Sequence, residues 1–404
     1  MRWAWLLLAG IPVPAVAQSD LPPSELVVRA LDSQPGVEAA TARVAAARAE
    51  GDALRIGPNE ITAQGSFSRR SIDPSDRFSE YDASISRPFR LPGKATLDRR
   101  AGALGVQIAQ DRAGSARHQA ALALGNLWYD WLLADALHGN AETLVQNQQA
   151  LVEAVRKRLR ARDVAQLDLD QVEAALALAQ AQRGDAAAMR DRARALLAAR
   201  FPDLLLPVEP PAIAPLTATY DELAALQDVI VERNHEIAAS SSQAERDSIL
   251  ARRAHSDRIA DPSFGVRLFS ERGGEERGAG LIVSLPLGGG HRRALARQAD
   301  AQASAARAEQ VAVEREIAGY AAADIAEYRA RAAGWQAARE AVSRAEQSAA
   351  LAARGEQLGA IDLADRLYAD RQANEARAQE LIARATAARL MLKLRIDAHT
   401  LWID

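Results

Sequence analysis

From Ile61 onward apolar and polar residues alternate. Ile61, Ala63, Gly65 and Phe67 fall on one face, and Thr62, Gln64, Ser66 and Ser68 on the other. The segment Asp73-Pro74-Ser75-Asp76 has turn chemistry. Alternation then resumes, with Tyr81, Ala83 and Ile85 opposed to Asp82, Ser84 and Ser86. The same pattern returns later as Phe264, Val266 and Leu268, a turn at Gly273-Gly274-Glu275-Glu276, and then Leu281, Val283 and Leu285. A period of two predicts strands, at about 60–70, 78–89, 262–271 and 278–287. Runs of about ten alternating residues suit a membrane β-strand. Hairpins of a small soluble sheet alternate in the same way, because the period does not separate lipid from core. Five of the six Phe (Phe67, Phe78, Phe89, Phe264, Phe269) lie in or beside these segments, as an aromatic girdle requires.

Elsewhere the period is helical. A helix is predicted from Ser24, a plausible N-cap, to Ile56, where Gly57-Pro58 stops it. A second starts near Pro92 and meets no proline before Pro202. It carries Leu137, Leu144 and Leu151 at heptad spacing, then Val155 and Leu159. A break falls at about Arg160 to Val164, and Val172 and Leu176 continue a helical face. A helix from Lys94 to Arg160 extends roughly 100 Å at 1.5 Å per residue, a rod that few compact domains can use.

The pattern occurs twice. Ser86-Arg87-Pro88-Phe89 is echoed by Ser284-Leu285-Pro286-Leu287, Arg162 to Leu169 by Gly359 to Arg366, and Gln34-Pro35-Gly36 by Asn234-His235-Glu236. The spacing is about 200 residues each time. The repeats are therefore placed at 18–200 and 220–404. The stretch 201–219 between them is an extended linker with Pro202, Pro207, Pro210, Pro211 and Pro215. Four strands cannot close a membrane barrel, for which eight is about the minimum. Open edges in lipid leave backbone groups unpaired, so several copies must share one barrel.

Composition narrows the class. Aromatic residues make up 4%, and Ala, Arg, Glu, Gln and Leu dominate, the usage of long helices. Net charge is −3, so there is no basic field for nucleic acid. There is no cysteine, hence no disulfide and no thiolate site. Arg2, the apolar run Trp3 to Ile11 and Ala15-Val16-Ala17 predict a signal peptide at 1–17, cut before Gln18. The six His are scattered, with no H-E-x-x-H. Gly93-Lys94-Ala95-Thr96 fails as a phosphate loop, because the glycine required five residues before Gly93 is Pro88. No G-x-S-x-G occurs. Trp128, Tyr129 and Trp131 form a packing patch. No enzymatic site and no cofactor are expected.

Two tip segments carry a resemblance. Gly359-Ala360-Ile361-Asp362-Leu363-Ala364-Asp365 is similar to the second helical tip of the TolC family of outer-membrane efflux proteins, and Arg158 to Asp168 to the first. Pro88 and Pro286 match the prolines at that family's barrel-to-tunnel junctions. The likeness covers nearly the whole mature chain. It implies a mainly α-helical fold of long antiparallel coiled-coil helices with a small β-barrel. In that fold a homotrimer closes twelve strands in outer-membrane lipid above a periplasmic tunnel. It implies docking of the tips (Arg162, Asp163, Asp168, Gly359, Ala360) on a periplasmic adaptor, served by an inner-membrane pump of RND or ABC type. It also implies an acidic periplasmic aperture at Asp365. The family's second aperture carboxylate falls on Tyr368, a departure, and Asp362 is the nearby carboxylate available to substitute. A ring of such carboxylates favours cations, whereas a solvated helix end would also suit them. Arg162 stands where the family has glycine. The Leu-Pro-Gly-Lys and Leu-Gly-Gly-Gly-His junctions resemble the heavy-metal CzcC-like branch. The competing reading is a periplasmic coiled-coil adaptor, which would need a compact β-domain between its helical arms.

Overall fold

The structure is a computed structural model that describes residues 20–73, 76–216 and 220–403. The expected leader at 1–17, the middle of the first hairpin turn and the last residues of the linker lie outside the described residues.

The elements repeat in order. α1 (Ser24–Asp32), α2 (Pro35–Ile56), β1 (Thr62–Asp73), β2 (Asp76–Pro88), α3 (Lys94–Arg160) and α4 (Gln166–Arg200) form the first half. α5 (Tyr220–Glu232), α6 (His235–Ser256), β3 (Ser263–Glu271), β4 (Glu276–Ser284), α7 (Gly290–Gln357) and α8 (Leu363–Asp397) form the second. Matching helices agree in length: 22 and 22 residues for α2 and α6, 67 and 68 for α3 and α7, 35 and 35 for α4 and α8. The predicted helix from Ser24 to Ile56 is two helices. Pro35 holds Gln34 in extended backbone, φ −71° and ψ 131°, which ends α1. Asn234 makes the same break in the second half by capping α6, its Oδ1 accepting from the N–H groups of Glu236 (2.8 Å) and Ile237 (3.0 Å).

The chain divides into two compact units that cut across the repeat. One takes the described residues up to Ala30 with Leu122–Tyr220 and Ala326–Lys393; the other takes Leu31–Ala121, Asp221–Ile325 and the residues from Leu394 onward. In the first, the predicted aromatic patch packs inward. Trp128 and Trp131 are almost wholly buried and meet edge to face at 5.5 Å. Trp128 Nε1 donates to the Asp20 carbonyl (2.7 Å) and the Tyr129 hydroxyl to the Asp20 carboxylate (2.9 Å). The proline-rich stretch is anchored rather than loose: Phe201, Leu204 and Ile213 are buried, and Arg384 Nη1 donates to the Ile213 carbonyl at 3.2 Å.

The second unit carries an antiparallel sheet ordered β1-β2-β3-β4. Its register aligns Ala63 with Ile85, Ile85 with Val266, and Val266 with Leu281. Polar partners align on the other face, Gln64 with Ser84 and Ser66 with Asp82. An ionic network fixes the strand-to-helix passages of both halves. Lys94 is 1% exposed, and its ammonium donates to the Ile259 carbonyl (2.8 Å) and the Asp261 carboxylate (2.8 Å), with Asp257 at 2.9 Å. Asp98 joins Arg90 (2.9 Å) to Arg253 (2.6 Å). Burial would raise the Asp257 pKa, but hydrogen bonds from Arg253 and Lys94 outweigh it and hold the carboxyl below its ordinary value.

Candidate functional site

The sheet wears its apolar residues outward. Along β2 exposure alternates, with Tyr81, Ala83 and Ile85 open and Asp82, Ser84 and Ser86 partly covered. Phe67 packs on Tyr81 at 5.2 Å, yet it remains 62% exposed, and Leu281 is 86% exposed. Ile85, Phe264, Val266, Leu268 and Val283 extend the same surface. A contiguous apolar face of this kind marks a surface made for another apolar phase. The opposite face carries an ion pair between Arg267 and Asp82, and Arg70 3.7 Å from Glu80. By strand parity Phe78, opposite Arg70, and Phe269, beneath the Arg267 guanidinium at 5.4 Å, belong to that polar face, so neither joins the apolar surface. β1 and β4 each pair on one side only among the described residues. No described helix is long and apolar enough to cross a membrane.

Pro88 is the last residue of β2, opposite Ser263, and the next N–H, of Phe89, turns to the Pro262 carbonyl at 2.8 Å. Pro286 lies between β4 and α7, where Arg292 Nη2 donates to its carbonyl (3.3 Å) and to that of Gly288 (2.8 Å). Each proline sits where one element stops and the chain is redirected.

The two helical turns share one geometry. At the end of α7 the Ala360 N–H reaches the Gly355 carbonyl (2.8 Å) and the Gly359 N–H the Glu356 carbonyl (3.0 Å), with Gly359 at φ +72°. At the end of α3 the Asp163 N–H reaches the Arg158 carbonyl (2.9 Å) and the Arg162 N–H the Leu159 carbonyl (3.0 Å), with Arg162 at φ +65°. Both are Schellman closures, which need a left-handed residue at the turn. Arg162 thus takes the conformation that glycine takes in the second tip. The Asp168 carboxylate accepts from the Ala165 N–H at 2.9 Å and so satisfies the start of α4. Asp362 does the equivalent for α8, accepting from the Asp365 N–H at 2.9 Å. Asp365 stands exposed in the first turn of α8.

Sequence reasoning passed over the residue that ties these tips together. Glu356 is 6% exposed and is clamped between Arg158 and Arg366 Nη1, the latter at 2.9 Å. Around it Leu151, Val152, Val155, Val172 and Leu363 form one apolar cluster. The helical stripe anticipated Leu151, Val155 and Val172 of that cluster but not Val152 or Leu363, and no periodicity announces a buried glutamate. Outside the cluster, Leu167, Leu358 and Tyr368 are exposed near the turns. Three histidines treated as scattered, His118, His235 and His399, also come together, in the sheet-bearing unit. Among the described residues no group of three His, Cys, Asp or Glu is placed to hold a metal ion.

Long paired helices that return through a four-stranded antiparallel sheet, twice per chain, make the fold of the TolC-family outer-membrane channels. Solved structures agree. The outer-membrane channel OprN matches with a TM-score of 0.80 at 20% identity over 94% of this chain and 90% of that one. The outer membrane protein VceC of Vibrio cholerae matches at 0.75 and 19%, over 93% and 95%. CusC matches at 0.69 and 15%, over 98% of both chains. By sequence the chain matches no protein-family model and no curated protein. The heavy-metal branch suggested by the two junction motifs finds no support in these likenesses, which reach the fold alone.

Proposed function

We propose that the chain is the outer-membrane channel of a tripartite efflux or secretion system. It conducts substrates passively from an inner-membrane pump and a periplasmic adaptor to the exterior. The observation that carries this reading is the sheet, whose apolar side chains gather on one exposed face and whose outer strands β1 and β4 each keep an unpaired edge among the described residues. In lipid every unpaired N–H and C=O costs several kcal/mol, so β1 of one copy is completed by β4 of the next. Three copies supply about twelve strands, enough for an aqueous lumen. The named likenesses support the same reading, since OprN is described as an outer-membrane channel and CusC through its transmembrane channel formation.

In this reading residues 1–17 are an export signal, Pro88 and Pro286 mark the passage from barrel to periplasmic tunnel, and the tips face the periplasm. Arg162, Asp163, Asp168, Gly359 and Ala360 present the turns to the adaptor, whose pump is of RND or ABC type. Asp365, with Asp362 beside it, lines the closed aperture. Two measurements test the reading together. The protein should fractionate with the outer membrane as heat-resistant trimers, and it should conduct ions when purified into a planar bilayer. A soluble product, or an outer-membrane protein that never conducts, would overturn it.

A further inference from the structure

Three imidazoles from distant segments meet in the sheet-bearing unit: His118 of α3, His235 in the first turn of α6, and His399 just past α8. The His235 and His399 ring centroids are 4.7 Å apart, and those of His118 and His399 6.0 Å. His235 lies directly on the backbone of α3. A Cβ at Gly114 would stand 2.5 Å from its Nε2, so only glycine admits the ring. His399 has φ +53° and closes α8 as a Schellman turn, its N–H on the Ile396 carbonyl (2.9 Å) and that of Thr400 on the Arg395 carbonyl (3.0 Å). The left-handed residue of the closure is therefore an imidazole, where glycine or asparagine is the ordinary choice.

The charges around the rings come from each packed element, and Arg112 of α3 and Glu309 of α7 line the same cavity as His235. α3 contributes Asp111, and Arg117, which is held by Asp32 at 2.8 Å. The α6 side contributes Arg233, whose Nη1 approaches the His399 carbonyl at 3.5 Å, and Glu236, which accepts from the Ser115 hydroxyl at 3.3 Å. α8 contributes Asp397, 2.8 Å from His118 Nε2, and Arg395, paired with Glu222 of α5 at 2.9 Å.

We propose that this cluster is a proton-operated latch: with His235 and His399 uncharged, the rings hold residues 398–403 against α3 and α6, and protonation of these two in acid loosens the hold. Once charged, the His235 and His399 rings, 4.7 Å apart, repel one another, and His399 repels Arg233. Burial, then His235, His118 and Arg233, push the His399 pKa down to about 4, against the pull of Asp397. Burial likewise lowers His235, and it raises Asp111. Because the closed-state pKa of His399 lies below the ordinary value of about 6.5, closure is at full strength above that value. It weakens as pH falls from there toward 4, by up to about tenfold per pH unit for this one proton. The inference does not depend on the channel reading.

Hydrogen–deuterium exchange of the C-terminal peptide in the purified full-length protein tests it, with rates corrected for intrinsic pH dependence. Between pH 7 and 5, protection of the His399 and Thr400 amides should fall roughly tenfold or more, while a peptide from the middle of α4 keeps its protection. His399→Asn keeps a residue suited to the left-handed turn but cannot take up the proton, so its protection should fall less steeply with pH, with only the contribution of His235 left. His399→Gln serves as a second variant, and in both the slope is read rather than the level. An equal slope in wild type and both variants, or no slope in wild type, overturns the latch. So does a loss of protection on adding a chelator at pH 7.5, which would make the cluster a metal site.

Discussion

Arg162 and Gly359 occupy the same turn of two matched helices, and only one of them is free of steric cost. A left-handed backbone costs a side-chain-bearing residue about 1–2 kcal/mol, while glycine gives back about 0.5–1 kcal/mol through its looser unfolded chain. Arg162→Gly should therefore raise stability by up to ~1 kcal/mol, read as a higher denaturation midpoint with unchanged slope. A lower midpoint would mean that the Arg162 side chain makes a contact worth more than the strain. The two acidic residues of the second tip part company at the same scale. Asp362 also caps α8, so Asp362→Ala should cost about 1 kcal/mol of stability and weaken cation block less than the loss of Asp365 does. Asp365 is exposed and supports no other group that would be lost on neutralisation, so Asp365→Asn should leave assembly intact. It should weaken cation selectivity and block by multivalent cations in bilayer recordings. The aperture assignment fails if selectivity and block are both unchanged.

At the scale of elements, the sheet gives the sharpest contrast between two neighbouring positions. Leu281 lies on the exposed apolar face, whereas Gln64 aligns with Ser84 on the polar one. Arg on a lipid-facing strand position near the midplane costs about 2–4 kcal/mol. Leu281→Arg should therefore reduce the yield of assembled protein in membranes far more than Gln64→Arg; equal losses would mean that the faces are assigned the wrong way round. These faces could be read from the sequence because a strand's period is two and each residue declares its side. The long rods α3 and α7 could be read because nothing in 67 or 68 residues interrupts them. What escaped notice depends on more than one segment. The break before α2 is one residue's extended backbone ahead of Pro35. Phe78 and Phe269 follow parity on their own strands, but composition grouped them with the other Phe. Glu356, the Lys94 network and the three histidines join residues from separate segments, and a period read along one element carries no information about which faces meet.

For the whole molecule the governing fact is that the described residues of one chain make four strands with two open edges. A lone sheet with an apolar outer face is unstable in water, because the face is exposed, and unstable in lipid, because the edges are unpaired. Only closure by further copies removes both costs, and the homotrimer proposed from the family likeness supplies about twelve strands. The purified protein in mild detergent should therefore run as a trimer by light scattering. The absence of cysteine makes the contact directly testable. Single cysteines scanned along the lower-numbered half of β1, paired with single cysteines along β4, should give oxidised species of up to three chains in at least one register. Cysteines in β2 and β3, whose neighbours lie in the same chain, should give no intermolecular product. A stable detergent monomer that keeps its β-sheet signal in circular dichroism would contradict the closure. So would crosslinks that form between two copies of β1 rather than between β1 and β4, since these would imply a two-fold contact that cannot continue around a ring.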